Sequence, residues 1–156
     1  MPTVSLRYSF RQPFHAPADR AFAWCTDFRS SDADLYEDGR SRSVRWLAPD
    51  ALVMTDTPAR GSGGARIARM VRIFPEERAW TNTHLTGPYR YSQFWYRIEP
   101  DGRARSHLLF HGLKLERHGR SVAPAEVARR ARAEGRSDAA TWRSKLAPAL
   151  DQDLAD

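Results

Sequence analysis

Acid–base chemistry needs a carboxylate or imidazole whose pKa is displaced by burial and by a partner. Four residues on different predicted strands have the right type: Asp56, His84, Tyr96 and Glu116. His84 shares a strand face with Trp80 and Asn82, which makes it the best polar candidate for a pocket wall; an ordinary hydrogen bond or chance exposure is the plainer reading. Arg69 lies in phase with Ile67, Val71 and Ile73, so it either faces inward as an anchor for an anion or marks the wet side of its strand. His107 and His111 share a face, but four strand residues span roughly 13 Å, too far to chelate one metal as a local pair. His15 and His118 fall at strand or loop ends and read as surface. Gly61-Ser62-Gly63-Gly64 lacks the Gly-Lys-Ser/Thr ending of a phosphate loop and reads as a hairpin. Cys25 is the single cysteine, which excludes an internal disulfide framework and a cysteine-rich zinc site. No metal and no cofactor is expected.

A second set of residues suits an apolar ligand. Phe10, Trp46, Trp80, Phe94, Tyr96, Phe110 and Trp142 can line a pocket, with Met54 and Met70 as adaptable fillers and Leu108 on the same face as Phe110. The same residues are ordinary core material, and both readings stay open here.

These groups are positioned by elements the pattern predicts. Val4 to Phe14 alternates, with Val4, Leu6, Tyr8, Phe10 and Phe14 on one face and Ser5, Arg7, Ser9 and Arg11 on the other, as in a half-buried strand. Ala16-Pro17-Ala18-Asp19 opens a short helix, with proline suited to a first turn and Asp19 to its positive end. Ser30 to Tyr36 reads as a second short helix. Strands follow over Ser41–Leu47, Ala51–Thr57, Ala65–Phe74, Ala79–Thr86, Arg90–Glu99 and Ala104–Glu116, separated by Pro- and Gly-containing turns that argue for an antiparallel meander. Pro100-Asp101-Gly102 suits a turn with a glycine bulge, pairing Glu99 with Arg103 and Ile98 with Ala104. That register puts Phe94, Tyr96, Ile98, Leu108 and Phe110 inside; Trp95 and Leu109 fall outside, as shielding or as a homodimer contact. A helix over Pro124–Glu134 is weakened at Gly135 and restarts at Ser137 or Asp138. Ala139, Trp142, Leu146, Leu150 and Leu154 then form one buried ridge, in which Pro148 should bend the helix or cost it a hydrogen bond.

The chain has 156 residues, enough for one domain over 1–156 with a single core. No apolar run is long enough to span a membrane and no signal peptide is visible, so a cytoplasmic protein is expected. The net charge of +6 comes almost wholly from arginine, Lys114 and Lys145 being the only lysines. The cluster Arg129, Arg130, Arg132 and Arg136 is broken by Glu126 and Glu134, which favours a solvated surface over a nucleic-acid groove.

Three stretches resemble the START-like helix-grip superfamily, which includes the Bet v 1-like and polyketide-cyclase-like (SRPBCC) proteins. They are Phe14-His15-Ala16-Pro17-Ala18-Asp19-Arg20-Ala21-Phe22, the strand–Pro–turn–strand Val71-Arg72-Ile73-Phe74-Pro75-Glu76-Glu77-Arg78-Ala79-Trp80, and the closing Trp142-x-x-x-Leu146-x-x-x-Leu150. The resemblance implies an α+β helix-grip fold: a curved antiparallel sheet of about seven strands around a long C-terminal helix, two short helices after the first strand, and an apolar cavity between sheet and helix. The function it implies is binding or transport of a small hydrophobic ligand (lipid, polyketide or aromatic); the alternative is a polyketide cyclase or dehydratase using the same cavity. The basic stretch from Gly119 to Arg136 looks like added length, and a lid is expected there.

Overall fold

Alternating apolar and polar residues build one seven-stranded antiparallel sheet in the computed structural model, which describes residues 2–155. The strands are β1 (Thr3–Phe14), β2 (Ser41–Ala48), β3 (Ala51–Thr57), β4 (Ile67–Phe74), β5 (Ala79–His84), β6 (Gln93–Asp101) and β7 (Arg105–Arg117). Their order is β1-β7-β6-β5-β4-β3-β2, so only β1 makes a long-range pairing and the rest is a meander. Helix α1 (Ala18–Cys25) and a 3-10 segment (Ser30–Tyr36) follow β1. The chain closes with α2 (Pro124–Thr141), a π turn (Trp142–Leu146) and α3 (Ala147–Asp153), which run on as a single long helix.

The inner face of the sheet divides along the strands. At one end Phe14, Leu52, Val71, Ile73, Ile98 and Leu108 pack with Ala21 of α1 and Ala147 and Leu150 of α3 into a dense core. Leu150 is fully buried, a burial worth roughly 1.5–3 kcal/mol. Ser106 Oγ donates to Ala16 O at 2.7 Å, fixing the connection from β1 into α1. At the other end the same strands present larger and more polar residues, and the helix stands off them.

Three expectations are corrected here. The β6–β7 hairpin pairs Asp101 with Arg105 and Ile98 with Leu108, not Ile98 with Ala104. The difference is an even number of residues, and because strand side chains alternate with period two the expected faces survive it. Gly135 does not end a helix: α2 passes through it, where an added Cβ would lie 3.4 Å from Tyr8 Cβ, so the missing side chain lets the helix approach β1. The Gly119–Arg136 stretch is therefore not a separate lid; from Pro124 it is the first half of the long helix. Its side chains are tied to the sheet, Arg130 to Glu116 and Glu134 to Lys114. Pro148, which has no N–H, is absorbed by the π turn, where Ala147 N–H reaches back to Trp142 O.

Trp95, 47% exposed on the outer face, stacks on Phe74 at 6.4 Å, which accounts for its partial shielding. Among the described residues no helix is long and apolar enough to cross a membrane.

Gly112 faces Tyr8 across β1–β7, and an added Cβ would lie 2.8 Å from Tyr8 Cζ and 3.1 Å from Phe110 Cε1. Gly112→Ala is expected to displace the Tyr8 ring and cost about 1–3 kcal/mol in urea unfolding, against near-neutrality for Gly102→Asn at an open turn glycine.

Candidate functional site

Where the helix stands off the sheet there is a pocket of about 420 Å³. Its floor is the inner row of the central strands: Trp80, Asn82 and His84 from β5, Phe94 and Tyr96 from β6, Phe110 and Lys114 from β7. Met54, Ile67 and Arg69 form one side, and the roof is Glu134, Asp138, Thr141, Trp142 and Leu146 of the long helix. Trp24 and Cys25 of α1 and Phe28 just after it, with Leu35 and Tyr36 of the 3-10 segment, rim it. Alternation explains the floor: Trp80, Asn82 and His84 sit at i, i+2 and i+4, opposite Ile73, Val71 and Arg69 of β4. A second depression of about 490 Å³ lies on the outer face beside Trp95 and His111 and shares only Tyr8 with the first.

Of the candidate apolar residues, Met54, Trp80, Phe94, Tyr96, Phe110 and Trp142 come together around this pocket. Trp80 and Tyr96 are stacked nearly parallel, centroids 4.8 Å apart and planes at 4°, and Tyr96 meets Phe110 edge-on at 5.1 Å. Four candidates lie elsewhere. Phe10 is behind the wall, stacked on Phe110 at 4.6 Å. Leu108 is fully buried in the core end of β7. Met70 alternates out of phase with Arg69 and Val71 and so sits on the outer face. Trp46 is on the inner row but on the edge strand, 45% exposed against Phe28.

Two of the four acid–base candidates, His84 and Tyr96, line the pocket, and a third, Asp56, is joined to His84 through Arg69. Arg69 turns inward. Its Nη1 donates to Asp56 Oδ2 at 2.7 Å and its Nε donates to His84 Nε2 at 3.2 Å. Arg42 grips the same carboxylate with two hydrogen bonds, 2.7 and 2.9 Å. Burial alone would raise the Asp56 carboxyl; hydrogen bonds and charge from Arg42 and Arg69 outweigh it and hold the pKa near about 2. Burial, and then the Arg69 and Lys114 charges, push His84 down to about 4. His84 is therefore neutral at pH 7. An arginine N–H can only donate, so Nε2 is the acceptor and the single ring proton sits on Nδ1. That removes His84 as a general base at Nε2, the nitrogen already occupied by Arg69. Tyr96 lies in the wall with its hydroxyl pKa raised, chiefly by burial.

Glu116 does not join this group. It binds Arg130 and His118 at the far end of β7. His118 is thereby engaged as well, and His107, opposite Glu99 on β6, is buried between Arg11 and Glu99. Cys25 is on the rim, and burial, followed by the nearby Asp27 and Asp32, pushes its thiol up, away from nucleophilic use.

Sequence reading missed the polar roof contacts. Tyr8 Oη donates to Asp138 Oδ2 at 2.7 Å, and burial raises the Asp138 carboxyl although that hydrogen bond opposes the rise. Lys114 Nζ sits 2.7 Å from Glu134 and 3.9 Å from the Tyr89 ring centroid. Strand phase could have flagged both: Tyr8 and Lys114 fall on the inner rows, and Lys114 is one of two lysines in an arginine-rich chain.

The two shifted groups act in different pH windows. The folded His84 pKa lies below its ordinary 6.5, so the unfolded chain takes up that proton first and stability falls as pH drops from about 6.5 to about 4. The folded Asp56 pKa lies below 3.8, so its contribution is present above that value and is lost as pH falls towards about 2. Urea unfolding at pH 7, 4 and 2.5 should show both losses. His84→Gln, which keeps an acceptor for Arg69, should remove the His84 part of the upper one, on the order of 2 kcal/mol, and leave the lower.

The geometry has counterparts among solved structures. The Zhui aromatase/cyclase from Streptomyces sp. R1128 superposes with a TM-score of 0.69 at 13% identity, over 98% of this chain and 94% of that one. Norcoclaurine synthase from Thalictrum flavum gives 0.73 at 13% identity, over 99% and 88%. A protein from Thermus thermophilus gives 0.67 at 12% identity, over 98% and 97%. No protein-family model and no curated protein matches the sequence. A seven-stranded curved sheet closed by a long C-terminal helix, shared along nearly the whole length of these structures, gives the chain the helix-grip fold.

Proposed function

We propose that the protein binds a small, mainly hydrophobic ligand of lipid, polyketide or aromatic type in the pocket between sheet and helix. One observation carries the reading. The helix leaves about 420 Å³ of space over stacked aromatic residues, whereas interiors ordinarily pack without such gaps. Met54, Trp80, Phe94, Tyr96, Phe110 and Trp142 supply the contact surface, His84 a polar point, and Phe10 and Leu108 the packing behind it. Burying ~300 Å² of ligand apolar surface at about 25 cal/mol/Å² gives roughly 7 kcal/mol gross. Association costs at least about 4 kcal/mol of that, so shape and a few polar contacts must supply useful affinity.

A second reading is an enzyme of the cyclase or dehydratase type. Its support is the Tyr8–Asp138 pair in the roof, a carboxyl raised by burial next to a hydroxyl, together with the enzyme names carried by two of the similar structures. In this reading Asp138 and Tyr8 handle the proton, and Asp138→Asn abolishes turnover while binding persists.

The neutral fluorophore N-phenyl-1-naphthylamine tests the binding reading. Saturable binding with quenching of tryptophan emission is expected, because Trp24, Trp80 and Trp142 all line the pocket. Thr141→Phe, which fills the space from the roof, should weaken it by about tenfold or more without lowering the unfolding temperature. Absence of saturable binding, or equal binding by the filled variant, contradicts the reading.

A further inference from the structure

Three guanidinium groups, Arg40, Arg42 and Arg69, line one side of the pocket and have two carboxylates between them. Arg40 holds Asp38, whose side chain is 46% exposed, and reaches Asp56 at 3.5 Å. Arg42 and Arg69 both depend on Asp56, Arg42 through two hydrogen bonds and Arg69 through one. The further partner of Arg69 is His84, and a neutral ring takes an N–H without taking charge. The cluster therefore carries one positive charge in excess. Water does little to disperse it, because the Arg42 and Arg69 side chains are only 6% and 14% exposed.

The other charges of the wall do not cancel this excess. Lys114 and Glu134 pair with each other at 2.7 Å, Asp138 accepts from Tyr8 in the roof, and Asp32 stands at the rim beside Cys25 and Asp27. One donor of the cluster is also unused. Arg69 spends Nε on His84 and Nη1 on Asp56; its Nη2 donates to no described residue and is not sealed within the wall. The strand register sets Arg69 beside apolar surface. It lies opposite Met54 on β3 and His84 on β5, and the Phe94 ring centroid is 5.2 Å from that of His84.

We propose that the pocket selects a monovalent apolar acid, an aromatic or fatty carboxylate, whose carboxylate accepts from Arg69 Nη2 while its apolar body lies along Phe94 towards the Trp80–Tyr96 stack. This inference rests on the ligand-binding reading above and adds the charge of the ligand. A carboxylate entering the pocket gives up strong hydration. The unmatched guanidinium offsets that loss, and the hydrogen bond it offers is charge-assisted, roughly twice as strong as a neutral one. A cation would raise the local excess to two charges, and a phosphate dianion would overshoot it. A single carboxylate brings the cluster to neutrality. Trp80 lies four strand residues from His84, roughly 13 Å along the floor, which gives an elongated body room behind the carboxylate.

The test compares 2-naphthoate, ionised at pH 7.5, with 2-naphthamide, a neutral molecule of the same shape, as competitors of bound N-phenyl-1-naphthylamine. In the wild-type protein the acid should displace the fluorophore at a concentration at least about tenfold lower than the amide. Arg69→Gln, which leaves Arg42 and Asp56 as a balanced pair, should respond to the two alike. Arg129→Gln lowers the net charge equally at an exposed position and should keep the preference, because surface charge is screened by solvent and salt. Equal competition by the two probes in the wild type overturns the proposal, whether or not Arg69→Gln folds. So does a preference that survives in folded Arg69→Gln or disappears in Arg129→Gln. If N-phenyl-1-naphthylamine binds and neither competitor displaces it, the carboxylate inference falls alone; if that fluorophore fails to bind, the binding reading falls with it.

Discussion

A guanidinium can donate hydrogen bonds and cannot accept one, and the polar architecture of this protein follows from that restriction at Arg69. Held between the Asp56 carboxylate and the His84 ring, Arg69 gives up two of its N–H groups to opposite partners. Asp56 keeps the arginine in place and is itself kept ionised by Arg42. The imidazole at the other end then has only one tautomer open to it while it is neutral. A buried charge cluster thus fixes the polarity of a ring that contacts the pocket. The same chain of contacts turns an apparent acid–base histidine into a hydrogen-bond donor.

Space above that ring requires a helix that is fixed at both ends and unsupported between. At its C-terminal end Leu150 and Ala147 enter the core, Trp24 Nε1 donates to Asp153 at 2.8 Å, and the His15 N–H donates to Asp151 at 2.7 Å. Towards its start, Glu134 and Asp138 are tied to Lys114 and Tyr8, and Gly135 lets the backbone lie close to β1. Lys145 Nζ, from the π turn, donates to Tyr36 O at 2.6 Å and joins the helix to the 3-10 segment at the pocket rim. The π turn between the two anchored ends absorbs Pro148 without a break. It also carries Trp142 and Leu146 into the roof.

Much of this was legible along the chain because strand alternation is a local signal. The inner row of β1, the inward set Phe94, Tyr96, Ile98, Leu108 and Phe110, and the closing ridge through Leu150 follow from period alone. Where strand phase was set aside the reading failed: Arg69 and Val71 inward require Met70 outward. Other failures came from information a strand does not contain. Leu108 and Phe110 share a face, yet one lies in the core and the other in the pocket, since the division depends on where the helix crosses. Trp46 has the right phase but sits on an edge that the helix does not cover. Tyr8 and Asp138 are 130 residues apart, and nothing near either one announces the other. The Asp56–Arg69–His84 line was visible only as separate candidates; the register of β3, β4 and β5 brings them side by side.

The account therefore turns on which nitrogen of one imidazole carries the proton. Long-range proton–nitrogen correlation spectra of protein labelled with 15N-histidine, assigned to His84 by comparison with His84→Gln, read this directly. The prediction is a neutral ring protonated at Nδ1, with Nε2 as the hydrogen-bond acceptor, unchanged from pH 7.5 down to about 5. A ring protonated at Nε2, or a fully charged imidazolium at pH 7, would contradict it.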